Sequence, residues 1–148
     1  MELTSASPEE TERLAARVAA ELRTGDVVTV SGELGSGKTT FVRGACRALG
    51  VTGRVTSPTF TIGHRYRGRL EVSHLDLYRF AEVSAPEWGD LEPYFVDAVC
   101  FVERPEAARG WLESPRVSVG LRHVDPSHRL LTFRSAEEGL LERIFRGC

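Results

Sequence analysis

Lysine is almost absent from this 148-residue sequence, since Lys38 is the only lysine among 19 basic residues and the others are arginines. A guanine-specific Asn-Lys-x-Asp signature is therefore excluded. The arginine excess by itself indicates compositional bias. The one retained lysine indicates a position that needs a compact ammonium on a flexible stem, which a planar guanidinium does not replace.

Long apolar runs and paired cysteines are missing as well. No stretch reaches the roughly 18 apolar residues of a membrane span, and residues 1–12 are too polar and acidic for a signal peptide. The three cysteines, Cys46, Cys100 and Cys148, are odd in number and far apart, which is typical of reduced thiols. These features predict a cytoplasmic protein that does not contact membranes.

Neither the net charge nor the histidine spacing indicates a nucleic-acid or zinc site. The net charge is -2, so no overall field attracts nucleic acid. The four histidines have no metal-ligand spacing. Arg65, Arg67 and Arg69 do cluster around Tyr66. We interpret them as a solvated hairpin tip, with a phosphate contact as the alternative.

The sequence does contain a phosphate-binding pattern. Residues 32–39 fit the P-loop pattern G-x-x-x-x-G-K-S/T at every defined position. The glycines allow backbone N–H groups to point at phosphate oxygens, and the following helix adds its unpaired N–H groups and positive dipole end. In this pattern Lys38 neutralises the phosphates and Thr39 offers a hydroxyl to Mg²⁺.

The segments around the pattern predict the structure that it requires. Residues 27–30 read as a buried strand, and residues 40–49 as a helix that Gly50 ends. Upstream, Ser7, Pro8 and Glu10 predict a helix start with a capping box, and Gly25 is the predicted end of that element.

The rest of the chain predicts further strands and short helices. The predicted elements are a hairpin of strands 60–66 and 70–75, helical turns within 82–93, a buried strand 98–102, a short helix 105–111, strands 116–123 and 129–134, and a last helix capped by Ser135. We predict one compact α/β domain over residues 1–148, of the P-loop NTPase type, with a mixed β-sheet and flanking helices.

Two acidic residues follow predicted strands directly. Asp76 comes after strand 70–75, and Glu103 comes after strand 98–102. Ligand sites of open α/β sheets lie at the carboxyl ends of strands, and phosphoryl transfer needs groups that hold Mg²⁺ and position water. Asp76 and Glu103 are therefore the candidate catalytic and metal-binding acids. Which of them contacts Mg²⁺ directly stays open.

Together these motifs resemble the TsaE (YjeE) family, the small P-loop ATPases of bacterial tRNA threonylcarbamoyladenosine modification. The resemblance rests on residues 32–41, Ser-Pro-Thr-Phe at 57–60, His-Leu-Asp-Leu-Tyr-Arg at 74–79 and Val-Glu-x-Pro-Glu at 102–106. The second and third segments discriminate this family from other P-loop proteins. One position departs from the family pattern, because Arg104 stands where the family usually has tryptophan.

The resemblance implies a cofactor, a set of site residues and partners. ATP with Mg²⁺ is the implied cofactor, Thr39 the magnesium-binding hydroxyl, Asp76 the essential acid and Glu103 a second acid near the metal. The implied partners are TsaD and TsaB, with tRNA reached through their complex, and hydrolysis is expected to be weak without them. The implied nucleotide contacts are Glu33, Leu34, Gly35, Ser36, Gly37, Lys38, Thr39, Thr40 and, in a switch-like loop near the γ-phosphate, Thr59.

Three other functions share the P-loop. A small-molecule kinase would need an acceptor site and usually an arginine-bearing lid, and residues 82–93 contain no arginine. A GTPase switch lacks its guanine signature here. A nucleotide-bound adaptor without useful turnover differs from a weak ATPase only in degree.

Overall fold

The computed structural model describes residues 1–58 and 62–148. Besides the strands and α-helices, these residues form two short turns of 3₁₀ helix, at Glu92–Phe95 and Pro105–Ala108. The strands and helices follow in the order β1 (Glu2–Ser5), α1 (Pro8–Ala19), β2 (Val27–Gly32), α2 (Lys38–Ala48), β3 (Gly63–Arg67), β4 (Glu71–Asp76), α3 (Ala85–Leu91), β5 (Val99–Glu103), β6 (Val117–Asp125), β7 (His128–Arg134) and α4 (Leu140–Ile144).

The strands form one seven-stranded sheet in the order β1-β7-β6-β2-β5-β4-β3. The central strands β6, β2, β5 and β4 are parallel to one another, whereas β1, β7 and β3 pair antiparallel with their neighbours. The predicted α/β fold with a mixed sheet is confirmed. Because β2 lies between two parallel strands, its carboxyl end opens at the middle of the sheet, where such folds bind ligands.

Each face of the sheet packs against its own apolar layer. The larger core lies between the sheet and α1, α2 and α4, and includes Phe41, Phe101 and Phe133. The smaller core contains Leu75, Leu91 and other apolar side chains under α3 and the 3₁₀ turns. Strand β5 contributes to both cores, because its alternate side chains face opposite sides of the sheet, and all five of its residues are buried.

Helices α1 and α2 pack closely because α2 carries a glycine at the contact. A Cβ added at Gly44 would lie 2.5 Å from the Cα of Glu12 and 2.6 Å from its carbonyl oxygen. Real Cβ atoms do not approach backbone this closely. Gly44 therefore sets the distance between the P-loop helix and the helix that covers it.

The hairpin of β3 and β4 agrees with the sequence prediction where the structure describes it, from residue 62 onward. Arg65 accounts for much of its contact with the rest of the fold. Its guanidinium donates to Ser73 Oγ at 3.2 Å and to the Val96 carbonyl at 3.0 Å, and its Nε lies 3.3 Å from Glu71 Oε2. Arg65 is therefore engaged by the protein itself, whereas Arg67 is exposed.

Helix starts show both correct and incorrect predictions. Ser7 caps α1 and accepts from the Glu10 amide, as predicted, but Glu10 Oε2 accepts from the Ala6 amide instead of closing a capping box. The helix ends at Ala19, well before Gly25, which lies in the following turn. Ser135 does not cap α4, because this helix begins only at Leu140, with Gly139 at the N-cap position. The Ser135 hydroxyl donates to the Arg116 carbonyl and accepts from the Glu137 amide.

Strand β1 was not predicted. It has four residues, and its partner among the described strands is β7, more than 120 residues away in the sequence. No local sequence pattern therefore predicts it. The longest helix of the described residues is α1, with 12 residues; none of their helices has the length and apolar character needed to cross a bilayer.

Candidate active site

The P-loop joins β2 to α2 through a turn that favours glycine. Gly35 and Gly37 have φ angles of 73° and 103°, a region in which a Cβ is strained. Gly37 is also the N-cap of α2 and provides no side-chain hydrogen bond to the first turn. The amide groups at the start of α2 are therefore left for a ligand, and the dipole of this helix favours an anion there.

We call the space enclosed by residues 32–39 the phosphate cradle. The side chains of Glu33 and Leu34 face away from it, whereas the Ser36 side chain has no hydrogen-bond partner within the described residues. Glu33 Oε1 accepts from the His123 amide at 3.2 Å, and the Leu34 side chain is exposed. Glu33 and Leu34 can therefore offer a phosphate only their backbone. Ser36 Oγ is buried without a hydrogen-bond partner among residues 1–58 and 62–148. A buried hydroxyl without a partner is unfavourable, and a bound phosphate oxygen would satisfy it.

Lys38 extends back across the loop. Its Nζ donates to the carbonyls of Gly32 at 2.8 Å and Glu33 at 3.0 Å, which leaves one of its three N–H donors for an anion. Burial lowers the pKa of Lys38, and the charge of Arg104 lowers it further, although nearby carboxylates oppose both effects. A phosphate beside the ammonium would favour its charged form.

Asp76 and Glu103 lie side by side at the ends of two parallel strands. They are register partners between β4 and β5, and both are buried. Asp76 Oδ1 accepts from the Tyr78 amide at 3.1 Å, and Oδ2 accepts from Ser57 Oγ at 3.4 Å. Burial and then the Glu103 charge raise the pKa of Asp76, against these two hydrogen bonds and Arg104.

Glu103 has a hydrogen-bond partner that the sequence did not assign. Glu103 Oε2 contacts His74 Nε2, and the imidazole is completely buried. His74 and Asp76 are two residues apart on β4, so their side chains share one face of the sheet. That period-two spacing was visible in the sequence, but the partner of His74 depends on how β4 and β5 align.

Arg104 is a second residue whose place the sequence did not predict. Its backbone is left-handed, with φ of 55° and ψ of 59°, and its amide donates to the Val30 carbonyl at 3.1 Å. The guanidinium lies 5.7 Å from the centre of the Tyr78 ring, and its Nε is 3.9 Å from Asp76 Oδ1. Arg104 therefore places a cation beside one of the two candidate site acids.

The remaining predicted site residues divide into two groups. Thr39 and Thr40 occupy the first turn of α2 and are half-buried, so their hydroxyl groups stand at the same helix end as the free amides. Thr59 lies outside the described residues. The predicted loop residues and the acids Asp76 and Glu103 thus meet at one end of the sheet.

A cavity of about 360 Å³ adjoins the outer side of the P-loop. It is lined by residues 35–37 and Thr40, by Ser7 and Thr11 of the α1 region, and by residues 126–127 and Arg129 near the β6–β7 turn. A larger cavity, about 560 Å³, includes Thr29, Ser31 and Ser118 but none of residues 32–39. Of these two cavities, the smaller one is lined in part by the P-loop.

The donors at this site suit a metal that arrives with a phosphate ligand. No group of three or more histidine, cysteine or acidic side chains able to hold a metal occurs within the described parts of the chain. Mg²⁺ usually keeps several waters and takes one or two carboxylates plus substrate phosphates. Thr39 with Asp76 and Glu103 fits that requirement.

Comparisons with known proteins show which family this chain resembles. The model of the family "Threonylcarbamoyl adenosine biosynthesis protein TsaE" matches residues 5–131. The tRNA threonylcarbamoyladenosine biosynthesis protein TsaE of Bacillus subtilis is 40% identical over 129 residues, covering 86% of this chain and 80% of the relative. The protein of the same name from Treponema pallidum is 35% identical over 133 residues, covering 89% and 98%.

A solved structure is similar over almost the same length. The crystal structure of YdiB from Bacillus subtilis superposes with a TM-score of 0.82 at 32% sequence identity, covering 97% of this chain and 93% of that one. The similarity therefore includes the whole sheet and the P-loop, not only the motif.

Proposed function

Because this chain belongs to the TsaE family of threonylcarbamoyl adenosine biosynthesis proteins, we propose that it binds and hydrolyses ATP with Mg²⁺ in the biosynthesis of threonylcarbamoyladenosine in tRNA. The family is one of P-loop ATPases, and the resemblance seen in the sequence is confirmed. The observation that carries the proposal for this chain is the meeting of the P-loop with Asp76 and Glu103 at one end of the sheet.

Phosphate binding is proposed for the loop and the first turn of α2. The amides at the start of α2 and the Ser36 hydroxyl would bind the phosphates, and Lys38 would supply the positive charge. Support comes from the unpartnered Ser36 Oγ and the uncapped start of α2 among the described residues. The cavity of about 360 Å³ beside Thr40 would take the nucleoside, because it is lined in part by the P-loop.

We propose that one of the two acids, Asp76 or Glu103, binds the metal and that the other positions the attacking water. Mg²⁺, when bound with ATP, would neutralise phosphate charge and polarise the transferred phosphoryl group. Thr39 Oγ1 and one of the two carboxylates would hold it, and the other would orient the attacking water. Two fixed hydrogen bonds hold the Asp76 carboxylate in place, which is what a positioning role requires.

Slow turnover is expected for the chain alone. When too few protein groups contact the γ-phosphate, the transition state of ATP hydrolysis is poorly stabilised. A partner protein can supply the missing groups or order a loop of the ATPase. We assign that partner as the TsaD–TsaB complex, through which the ATPase would support repeated cycles of tRNA modification. The family membership supports this assignment.

The deciding experiment measures phosphate release by the purified chain with and without TsaD–TsaB, at saturating ATP. We expect slow release alone and at least about tenfold more with the complex, a modest part of what activating proteins supply. Multiple-turnover modification of tRNA with Lys38→Ala in place of the wild type is the companion assay. Equal product from both proteins would show that the ATPase is not what this chain contributes.

A further inference from the structure

His74 is a buried polar residue that the proposed reaction does not yet use. It lies near the middle of β4 with none of its surface exposed. Its Cα is opposite Phe101 on β5, and Glu103 is two residues further along the same strand. His74 and Glu103 are therefore diagonal neighbours on one face of the sheet, within reach of each other's side chains.

The hydrogen bond between them fixes one oxygen of Glu103. His74 Nε2 and Glu103 Oε2 are hydrogen-bonded, and we assign the proton to Nε2, since a carboxylate that binds a metal accepts hydrogen bonds and cannot donate them. Nδ1 of the imidazole is buried without a partner in the part of the chain that the structure describes. Among the described residues, Glu103 is therefore the one hydrogen-bond partner of the His74 ring.

The same contact limits what Glu103 can do. With Oε2 occupied by His74, Oε1 is the oxygen left for a metal or a water. A glutamate side chain has three rotatable bonds, so an unsupported carboxylate would sample several orientations, and ordering it costs free energy. A donor on the neighbouring strand removes this freedom before ATP arrives. Partners of this kind behind metal-binding carboxylates orient the ligand group.

We propose that His74 is a positioning residue, whose Nε2–H holds the Glu103 carboxylate so that Oε1 faces the Mg²⁺·ATP site. This inference rests on the proposed ATPase function. His74 itself touches neither nucleotide nor metal. It acts through Glu103 alone, so removing its donor should impair the Mg²⁺-dependent step and leave the P-loop able to bind nucleotide.

The test compares His74→Leu, His74→Gln and His74→Asn with the wild-type chain. Glutamine can place an amide donor near the position of Nε2, whereas the shorter asparagine cannot. We expect His74→Leu and His74→Asn to lower kcat for ATP hydrolysis about 10- to 100-fold, as losses behind a metal ligand do. His74→Gln should recover most of the rate. The matched control is His64→Leu, because His64 is the register partner of His74 on β3 and faces Tyr66 instead of Glu103.

Two readouts separate positioning from a purely structural role. Calorimetric titration with ADP in EDTA should give affinities within about twofold of wild type for all His74 variants, whereas the gain in affinity on adding Mg²⁺ should shrink in His74→Leu and His74→Asn. In a Glu103→Gln background, His74→Leu should lower kcat by less than twofold, because the group that it positions is already lost.

Several results would overturn the inference. They are wild-type kcat in His74→Leu, no recovery in His74→Gln, or the full rate loss from His74→Leu persisting in the Glu103→Gln background. If His74→Leu does not fold, the glutamine–asparagine pair decides the question alone. Failure of the wild-type chain to bind or hydrolyse ATP is a different outcome, which would remove the proposed function itself.

Discussion

Asp76 and Glu103 are opposite each other on the parallel strands β4 and β5, at the point where both strands end. Burial is the first cause of the raised pKa of Asp76, and the Glu103 charge is the second. The Mg²⁺ ion proposed for this site would offset both effects. The pairing is therefore unfavourable in the metal-free protein and would favour the proposed metal.

Lys38→Ala should weaken binding of a non-hydrolysable ATP analogue about 10- to 100-fold, because a hydrogen bond to a charged group is worth about 1.5–3 kcal/mol. Calorimetric titration measures the affinity. Arg43→Ala is the control, since Arg43 lies on the same helix and forms a long ion pair, 3.9 Å, with Glu12. Unchanged affinity in Lys38→Ala, together with unchanged turnover, would remove the P-loop as the binding site.

Asp76→Asn should reduce ATP hydrolysis about 10²-fold, the usual effect of losing a positioned charged group. Affinity for ADP in EDTA should change little, because the phosphate cradle is intact. Steady-state kinetics and calorimetry measure the two effects. The control is Asp90→Asn, which alters an exposed acid of α3; if it slowed hydrolysis and Asp76→Asn did not, the catalytic acid would have been assigned to the wrong residue.

The same substitution should stabilise the empty protein in a pH-dependent way. The raised pKa of Asp76 means that the folded chain holds this proton more tightly than the unfolded chain. The free energy of unfolding therefore falls as pH rises from the ordinary value of 3.8 to the folded pKa, and the loss is complete above it.

Asp76→Asn does not titrate, so its stability relative to wild type should increase with pH across that interval and then level off. Denaturant unfolding in EDTA, without nucleotide, at a series of pH values measures the difference. A difference that is the same at every pH would contradict the assigned shift.

Arg104→Gln should make Mg²⁺ more effective at promoting nucleotide binding. The guanidinium Nε lies 3.9 Å from Asp76 Oδ1 at a partly exposed site, where such pairs are worth about 0.2–1 kcal/mol. Removing this competing cation should lower the half-saturating Mg²⁺ concentration by up to about fivefold. Arg109→Gln, the same change at an exposed position, should leave that concentration unchanged. A higher half-saturating concentration in Arg104→Gln would instead assign the guanidinium to the bound phosphates.

Gly44→Ala should destabilise the fold by about 1–3 kcal/mol, as overpacked core substitutions do. The added Cβ would meet the backbone of Glu12, which cannot move aside as a flexible side chain could. Gly89→Ala is the control, because a Cβ there meets nothing within 4 Å and alanine favours helix by about 1 kcal/mol. Thermal unfolding without nucleotide measures the Tm, which we expect to fall in Gly44→Ala and not in Gly89→Ala. Equal Tm values for the two variants would mean that α1 and α2 can move apart without loss of stability.

Local patterns were enough to predict most of the parallel sheet and the P-loop. The apolar run 98–102 and the glycine and lysine spacing of 32–39 each depend on neighbouring residues alone. Where a feature depends on distant residues, the prediction failed or was not made. Ser135 contacts Arg116 of a distant segment, and α4 begins only after Gly139. His74 contacts Glu103 only because of how β4 and β5 align.

The place of Arg104 shows the same limit at the site. Its residue type was noted as a departure from the family, but its contact with Asp76 follows from a left-handed backbone at the end of β5. A non-glycine residue adopts that conformation only when the surrounding structure holds it. The sequence could therefore indicate that Arg104 is an unusual residue, but it could not predict that the guanidinium lies beside Asp76.

The pairing of β1 with β7 constrains the order in which this chain can fold during synthesis. Residues 2–5 are synthesised long before residues 129–132, which are their pairing partners. Until β7 has been made, β1 has no strand to join, and β6 lacks its antiparallel neighbour. The parallel strands β2, β4 and β5, which carry the P-loop and the two acids, are made earlier. The core that packs against α2 nevertheless includes Leu131 and Phe133 of β7, so the P-loop helix obtains its complete packing only after that last strand has been synthesised.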